Sequence, residues 1–167
     1  NSFDRLGVEN FVSNEVLDIL KASHLVLPGV GAFKASMEKI EKKLPIDVLR
    51  AQVLLGKPLL GICVGMQVFA ESGFEFEIHP GLNLIPGSEV IELPADVSKP
   101  HVGWDSIEIQ NYHPILNHID DGADFYFVHS FAYSEISAEE VIANCEYGEN
   151  FPAVVGRENV IGVQFHP

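Results

Sequence analysis

The chain has 167 residues, enough for one domain with a substantial core, and its 47% apolar and 20% charged residues are ordinary for a globular protein. A formal net charge of −14 argues against a nucleic-acid partner, because phosphate binding needs a surplus of Lys and Arg; the dispersed acids read as a solvated surface, compatible with docking on a basic patch of another protein. No apolar run approaches the roughly 20 residues that span a bilayer, and no basic segment leads into an apolar stretch at the start, so neither a membrane partner nor a secretory signal is expected.

In chain order, residues 1–6 read as the end of a helix stopped at Gly7. Ser23 to Leu27 reads as a buried strand closed by Pro28 and Gly29, and Ala35 to Lys43 and Ile46 to Leu55 as helices. Lys57 to Ile62 is a second buried strand, followed by a glycine-flanked Cys63 and a helix from Val64 to about Glu71. Such alternation predicts parallel βαβ units. Strands are then expected at Glu89–Leu93, His101–Ile109, Phe125–Phe131, Val141–Tyr147, Ala153–Arg157 and Val160–Phe165, punctuated by turns such as Asp121-Gly122. The expected fold is a three-layer α/β domain with a mostly parallel sheet and an added antiparallel portion. Because the chain opens on a helix end and closes straight out of a strand, residues 1–167 read as a single domain truncated at both ends. Two cysteines, Cys63 and Cys145, make no disulfide framework and predict a reducing, cytoplasmic setting.

Gly61-Ile62-Cys63-Val64-Gly65-Met66-Gln67 follows a strand and opens a helix. A nucleophile there sits on a sharp turn at the carboxyl edge of the sheet, with glycines permitting tight geometry and close approach of a substrate. A helix N-terminus beside the sulfur favours the thiolate, the reactive species. Taken alone, Cys63 also reads as a small buried residue beside a routine turn. The flanking residues decide it: the segment resembles the nucleophile elbow of the class I glutamine amidotransferases, G-x-C-x-G-x-Q, at every fixed position. The resemblance implies a flavodoxin-like α/β/α domain and glutamine hydrolysis with no cofactor and no metal.

A cysteine hydrolase needs a base for the thiol proton. Of seven histidines only His166 stands in G-V-Q-F-H-P, directly after an apolar strand. By resemblance it is that base, with a glutamate of the family falling one position after the last residue, Pro167. Leu27-Pro28-Gly29-Val30-Gly31 is similar to the family's P-G-V-G oxyanion loop, which implies that N–H groups around Val30 and Gly31, with that of Val64, face a developing oxyanion. In this family the Val30-type peptide can flip, leaving the hole unformed until a partner activates it. Gln67 lies one helical turn after Cys63 and is expected against the substrate glutamine. His129-Ser130-Phe131 resembles an H-S-Y segment whose backbone receives the glutamine head group, with Phe131 lacking the tyrosine hydroxyl. Glu75 reads equally as a surface residue or as a ligand for the glutamine ammonium.

Gly81–Gly87, Pro100–Asp105 and Phe125–Ser130 resemble G-L-G-L-I-x-G, P-H-M-G-W-N and Y-Y-F-V-H-S. Together they are similar to the glutaminase subunits of imidazole glycerol phosphate synthase, over essentially the whole chain. That resemblance implies a heterodimer with a cyclase subunit, faced by His101, Val102, Trp104 and Tyr126, although Trp104 also reads as a core aromatic. Val102 and Asp105 depart from Met and Asn. Two alternatives remain: a paralogue supplying ammonia for amidination of surface sugars, and a catalytically silent interaction module on the same fold.

Overall fold

Residues 2–166 are described by a computed structural model. The helices are α1 (Ser2–Arg5), α2 (Val16–Lys21), α3 (Phe33–Lys43), α4 (Ile46–Leu54) and the single turn α5 (Val64–Gln67). The strands are β1 (Leu25–Gly29), β2 (Leu59–Cys63), β3 (Ala70–Glu75), β4 (Glu77–Pro80), β5 (Ile85–Glu92), β6 (His101–Ile109), β7 (Asp124–His129), β8 (Phe131–Tyr133), β9 (Val141–Tyr147), β10 (Glu149–Arg157) and β11 (Val160–Val163).

Apolar runs set the centre of the sheet. L-L-G-I-C is buried on one face and half-buried on the other, and V-I-G-V is buried at all but its last position, as parallel strands covered on two sides require. The larger sheet runs β1-β2-β11-β10-β9-β6-β7. Its β1, β2 and β11 pair in parallel, and every later pairing is antiparallel. The α/β class is as expected, but the antiparallel portion forms the larger share of this sheet. A second sheet, β4-β3-β5-β8, packs with α3, α4 and α5 around Phe33, Met66, Phe69 and Tyr133. A second apolar cluster, around Ile107, Phe127, Phe151 and Phe165, fills the curl of the antiparallel part.

One expectation fails in an instructive way. The helix expected from Val64 to Glu71 stops after one turn at Gln67, and Ala70 already begins β3. The Val68 and Phe69 carbonyls accept from the N–H groups of Leu82, Leu84 and Ile85 rather than from the next helical turn. The alternating S-G-F-E-F-E-I that follows prefers a hairpin, and β3 and β4 turn at Phe76 with φ +64°. The short helix α2 and the strands β3, β4 and β8 have no counterpart in the sequence reading. The helix read over residues 1–6 is present as α1; Asn1 and Pro167 lie outside the described residues. No described helix is long and apolar enough to cross a membrane.

Strand register positions the site. Gly29 pairs with Cys63, and Val163 with Ile62, so three parallel strands end side by side. What leaves those carboxyl ends is Val30-Gly31, Val64 and Gln164 to His166, the location at which open α/β sheets bind ligands.

Candidate active site

Cys63 adopts φ +54° and ψ −116°, a conformation that L-residues avoid and that persists only where its surroundings enforce it. The enforcement is visible in the neighbouring glycines. A Cβ on Gly29 would come within 2.5 Å of Gly65 N, and one on Gly65 would collide with the Leu27 carbonyl oxygen. The nucleophile turn and the end of β1, from which the Val30-Gly31 loop leaves, therefore lie backbone to backbone, which only glycine allows. The Val64 N–H donates to the Cys63 sulfur and lowers its pKa, but burial outweighs it and pushes the thiol above its ordinary 9.0. This corrects the expected thiolate: with one turn of helix behind it, the sulfur gains little from a dipole, and the resting residue is a thiol.

His166 is held by its backbone, whose N–H donates to the Tyr126 carbonyl oxygen at 2.9 Å. Cys63 and His166 share one cavity of about 280 Å³, lined also by Val30, Gly31, Val64, Gln67, Val128, His129, Ser130 and Phe131. The volume suits an amino acid. Two histidines line this cavity, and hydrogen bonding distinguishes them. His129 has both ring nitrogens engaged, with Nδ1 at 3.0 Å from the Phe131 carbonyl oxygen and Nε2 at 3.2 Å from His101 Nδ1. Burial holds its pKa down at about 4, so it stays neutral. The ring of His166 has no hydrogen-bond partner among the described residues, which leaves it as the imidazole able to take a proton from sulfur.

Gln67 is buried, and its Nε2 donates to the Phe131 carbonyl oxygen at 2.8 Å and to Gln164 Oε1 at 3.0 Å. With both amide hydrogens engaged, Gln67 presents its carbonyl oxygen as the group free for a ligand. Gln164 in turn donates through Nε2 to Cys63 Sγ at 3.7 Å. Sequence reasoning missed Gln164, although a fully buried amide inside V-I-G-V-Q-F is itself a signal. Val128 was missed too. Glu75 is half-buried and is not one of the residues lining the cavity; its Oε2 accepts the Phe33 N–H at 2.6 Å, at the start of α3.

The residues expected at a partner surface divide by strand alternation. Val102, Trp104, Tyr126 and Val128 are exposed, paired across β6 and β7 as Val102 with Val128 and Trp104 with Tyr126, and the last two rings meet edge to face at 5.8 Å. His101 points the other way and is 1% exposed, between Phe127 and Tyr147. It is no contact surface; the odd-numbered positions of β6 face inward.

A strained cysteine on a strand-to-turn elbow, a histidine beyond a neighbouring parallel strand, and a backbone loop beside the sulfur define a cysteine-dependent amide hydrolase site. The family model of the class I glutamine amidotransferases matches residues 9–167, and the chain belongs to that family. It is 42% identical to the imidazole glycerol phosphate synthase subunit HisH of Lactococcus lactis, over 99% of this chain and 82% of that protein. It is also 41% identical to subunit HisH 1 of Campylobacter jejuni, over 99% and 83%. Among solved structures, it superposes on a glutamine amidotransferase with a TM-score of 0.73 at 20% identity, over 99% of this chain and 82% of that one. The glutaminase domain of Trypanosoma brucei CTPS with bound acivicin gives 0.63 at 15%, over 99% and 75%. At these identities the structures speak for the fold.

Proposed function

We propose that this chain hydrolyses glutamine to glutamate and ammonia as the glutaminase subunit of imidazole glycerol phosphate synthase. The observation that carries the reading is the single cavity in which Cys63, His166 and the Val30-Gly31 loop converge. His166 takes the thiol proton as sulfur attacks the side-chain amide carbon. The carbonyl oxygen becomes an oxyanion facing the N–H groups around Val30, Gly31 and Val64, where each donor lowers the barrier by about 3–4 kcal/mol. The carbon–nitrogen bond breaks, ammonia leaves with the proton from His166, and a thioester remains on Cys63. Water, deprotonated by His166, then attacks the thioester, and glutamate departs as the thiol is restored. Gln67 and the His129-Ser130-Phe131 backbone receive the amino-acid end of the substrate.

Ammonia then passes to a cyclase subunit in histidine biosynthesis. The names of the relatives support this partner, and so does the exposed apolar face of Val102, Trp104, Tyr126 and Val128 beside His166. The test is release of ammonia and glutamate from glutamine by the chain with its cyclase. Turnover is expected in the wild type and none in Cys63→Ala; undiminished turnover in that variant would end the proposal.

A further inference from the structure

Three hydrogen bonds in series connect the partly exposed side of β6 to the cavity wall. Asp105 Oδ2 stands 2.8 Å from His101 Nε2, His101 Nδ1 3.2 Å from His129 Nε2, and His129 Nδ1 3.0 Å from the Phe131 carbonyl oxygen. Register explains the meeting, because His101 and His129 are direct partners across β6 and β7, while Asp105 lies four residues on along β6. The Phe131 carbonyl also accepts from Gln67, which leads through Gln164 to the sulfur of Cys63.

The series has a proton count. Its two ends, an ionised carboxylate and a carbonyl, only accept, and two neutral imidazoles supply one N–H each. Three bonds need three hydrogens. The carbonyl takes the His129 Nδ1 hydrogen, His129 Nε2 accepts the His101 Nδ1 hydrogen, and the remaining bond requires a bound proton between His101 and Asp105. Burial keeps His129 neutral, so the extra proton does not sit there. An asparagine at 105 would change the count, because its amide N–H supplies the third hydrogen.

Building on the glutaminase reading, we propose that Asp105 and His101 are positioning residues that hold His129, the Phe131 carbonyl and Gln67 in their glutamine-receiving arrangement by sharing one bound proton. With the proton present the series is closed. Without that proton, the carboxylate and the His101 Nε2 lone pair oppose each other and the wall of the cavity loosens. The other titratable groups facing the series are few: Tyr147 stacks on His101 at 3.9 Å, Cys145 and Glu146 of β9 lie on the Asp105 side, and His166 faces His129 from the cavity. Of these, Cys145 loses the part of its raised pKa that the Asp105 charge supplies when Asp105 becomes an amide, but burial, the larger cause, keeps it a neutral thiol.

The experiment compares Asp105 and Asp105→Asn in a Cys63→Ala background, which binds glutamine without turnover. Glutamine affinity is measured by calorimetry between about pH 6 and 9, the range in which imidazoles titrate. With Asp105, affinity falls about tenfold across the range, as loss of a charge-assisted hydrogen bond predicts. In Asp105→Asn that extra fall is absent, and titration of glutamine itself cancels in the comparison. In Asp105→Ala two bonds and two N–H groups remain, so the extra fall is absent there as well. Nitrogen-15 NMR of the imidazoles gives a readout independent of glutamine: His101 carries hydrogens on both nitrogens at the acid end with Asp105, and on one in Asp105→Asn. Identical pH profiles for the two proteins, or a His101 singly protonated throughout with Asp105, would overturn the relay. Absence of glutamine binding together with an intact His101 signature would instead refute the glutaminase reading, and the positioning role with it.

Discussion

Gln164 stands between the nucleophile and the residue expected to touch substrate, and replacing it with methionine isolates what that amide does. The swap nearly conserves volume, so packing alone costs under about 1.5 kcal/mol. It removes the acceptor for one Gln67 hydrogen, made at 3.0 Å between side chains that are 0% and 4% exposed. Stranding that buried donor costs about 1–3 kcal/mol. The contact from Gln164 to the sulfur, at 3.7 Å, is long and adds little. Gln164→Met is therefore expected to lose about 2–3 kcal/mol of stability in urea unfolding followed by circular dichroism. Gln67→Met strands the Gln164 carbonyl in the same way, and its Phe131 acceptor is still served by His129. In Gln67→Met/Gln164→Met neither stranded group exists, so the double loss should fall short of the sum by about 1–2 kcal/mol. Losses that add to within about 0.5 kcal/mol would show that the two amides act independently and refute the connection drawn between them.

Because burial raises the Cys63 thiol above its ordinary 9.0, alkylation of the chain without its partner should keep accelerating above about pH 10, where an ordinary thiol has levelled off; a plateau at or below that pH would contradict the burial argument. The second cysteine, Cys145, is pushed up to about 12 and should stay unmodified in the folded protein. Gly65→Ala drives a Cβ into the Leu27 carbonyl and should cost about 1–3 kcal/mol in thermal or urea unfolding, with loss of glutaminase activity; wild-type values for both would mean that β1 and the elbow are not in close contact. Trp104→Ala removes a side chain that is 71% exposed, so it should leave the isolated chain's stability within about 0.5 kcal/mol and weaken cyclase binding by about 2 kcal/mol or more in calorimetry. Unchanged affinity would move the partner to another face.

The parts of this protein legible in its sequence are those where local chemistry and tertiary placement agree. Lys57 to Ile62 and Val160 to Phe165 read as strands because their apolar runs are too short for helices, and both became central strands of the sheet. G-I-C-V-G marks a tight turn for reasons of backbone sterics alone, and Cys63 stands there at positive φ. Positions 64–71 misled because V-G-M-Q-V-F-A-E suits a buried helix as well as a buried turn and strand; the choice was made by the distant residues 82–85, whose N–H groups take the carbonyls of Val68 and Phe69. The raised pKa of Cys63 has the same origin, since burial is set by everything that packs over the elbow. The motif around His101 suggests a contact residue, but alternation along β6 separates its buried side chain from the exposed Val102 and Trp104. The pairing of His101 with His129 depends on strand register, which a single sequence does not display.

The central claim, that sulfur and imidazole form one glutamine-directed pair, is tested most directly by an electrophilic glutamine analogue and peptide mass mapping. Two cysteines make the assignment clean. Labelling is expected on Cys63 alone, suppressed by excess glutamine and strongly slowed in His166→Ala. A label on Cys145, indifference to glutamine, or an unchanged rate in His166→Ala would contradict the account.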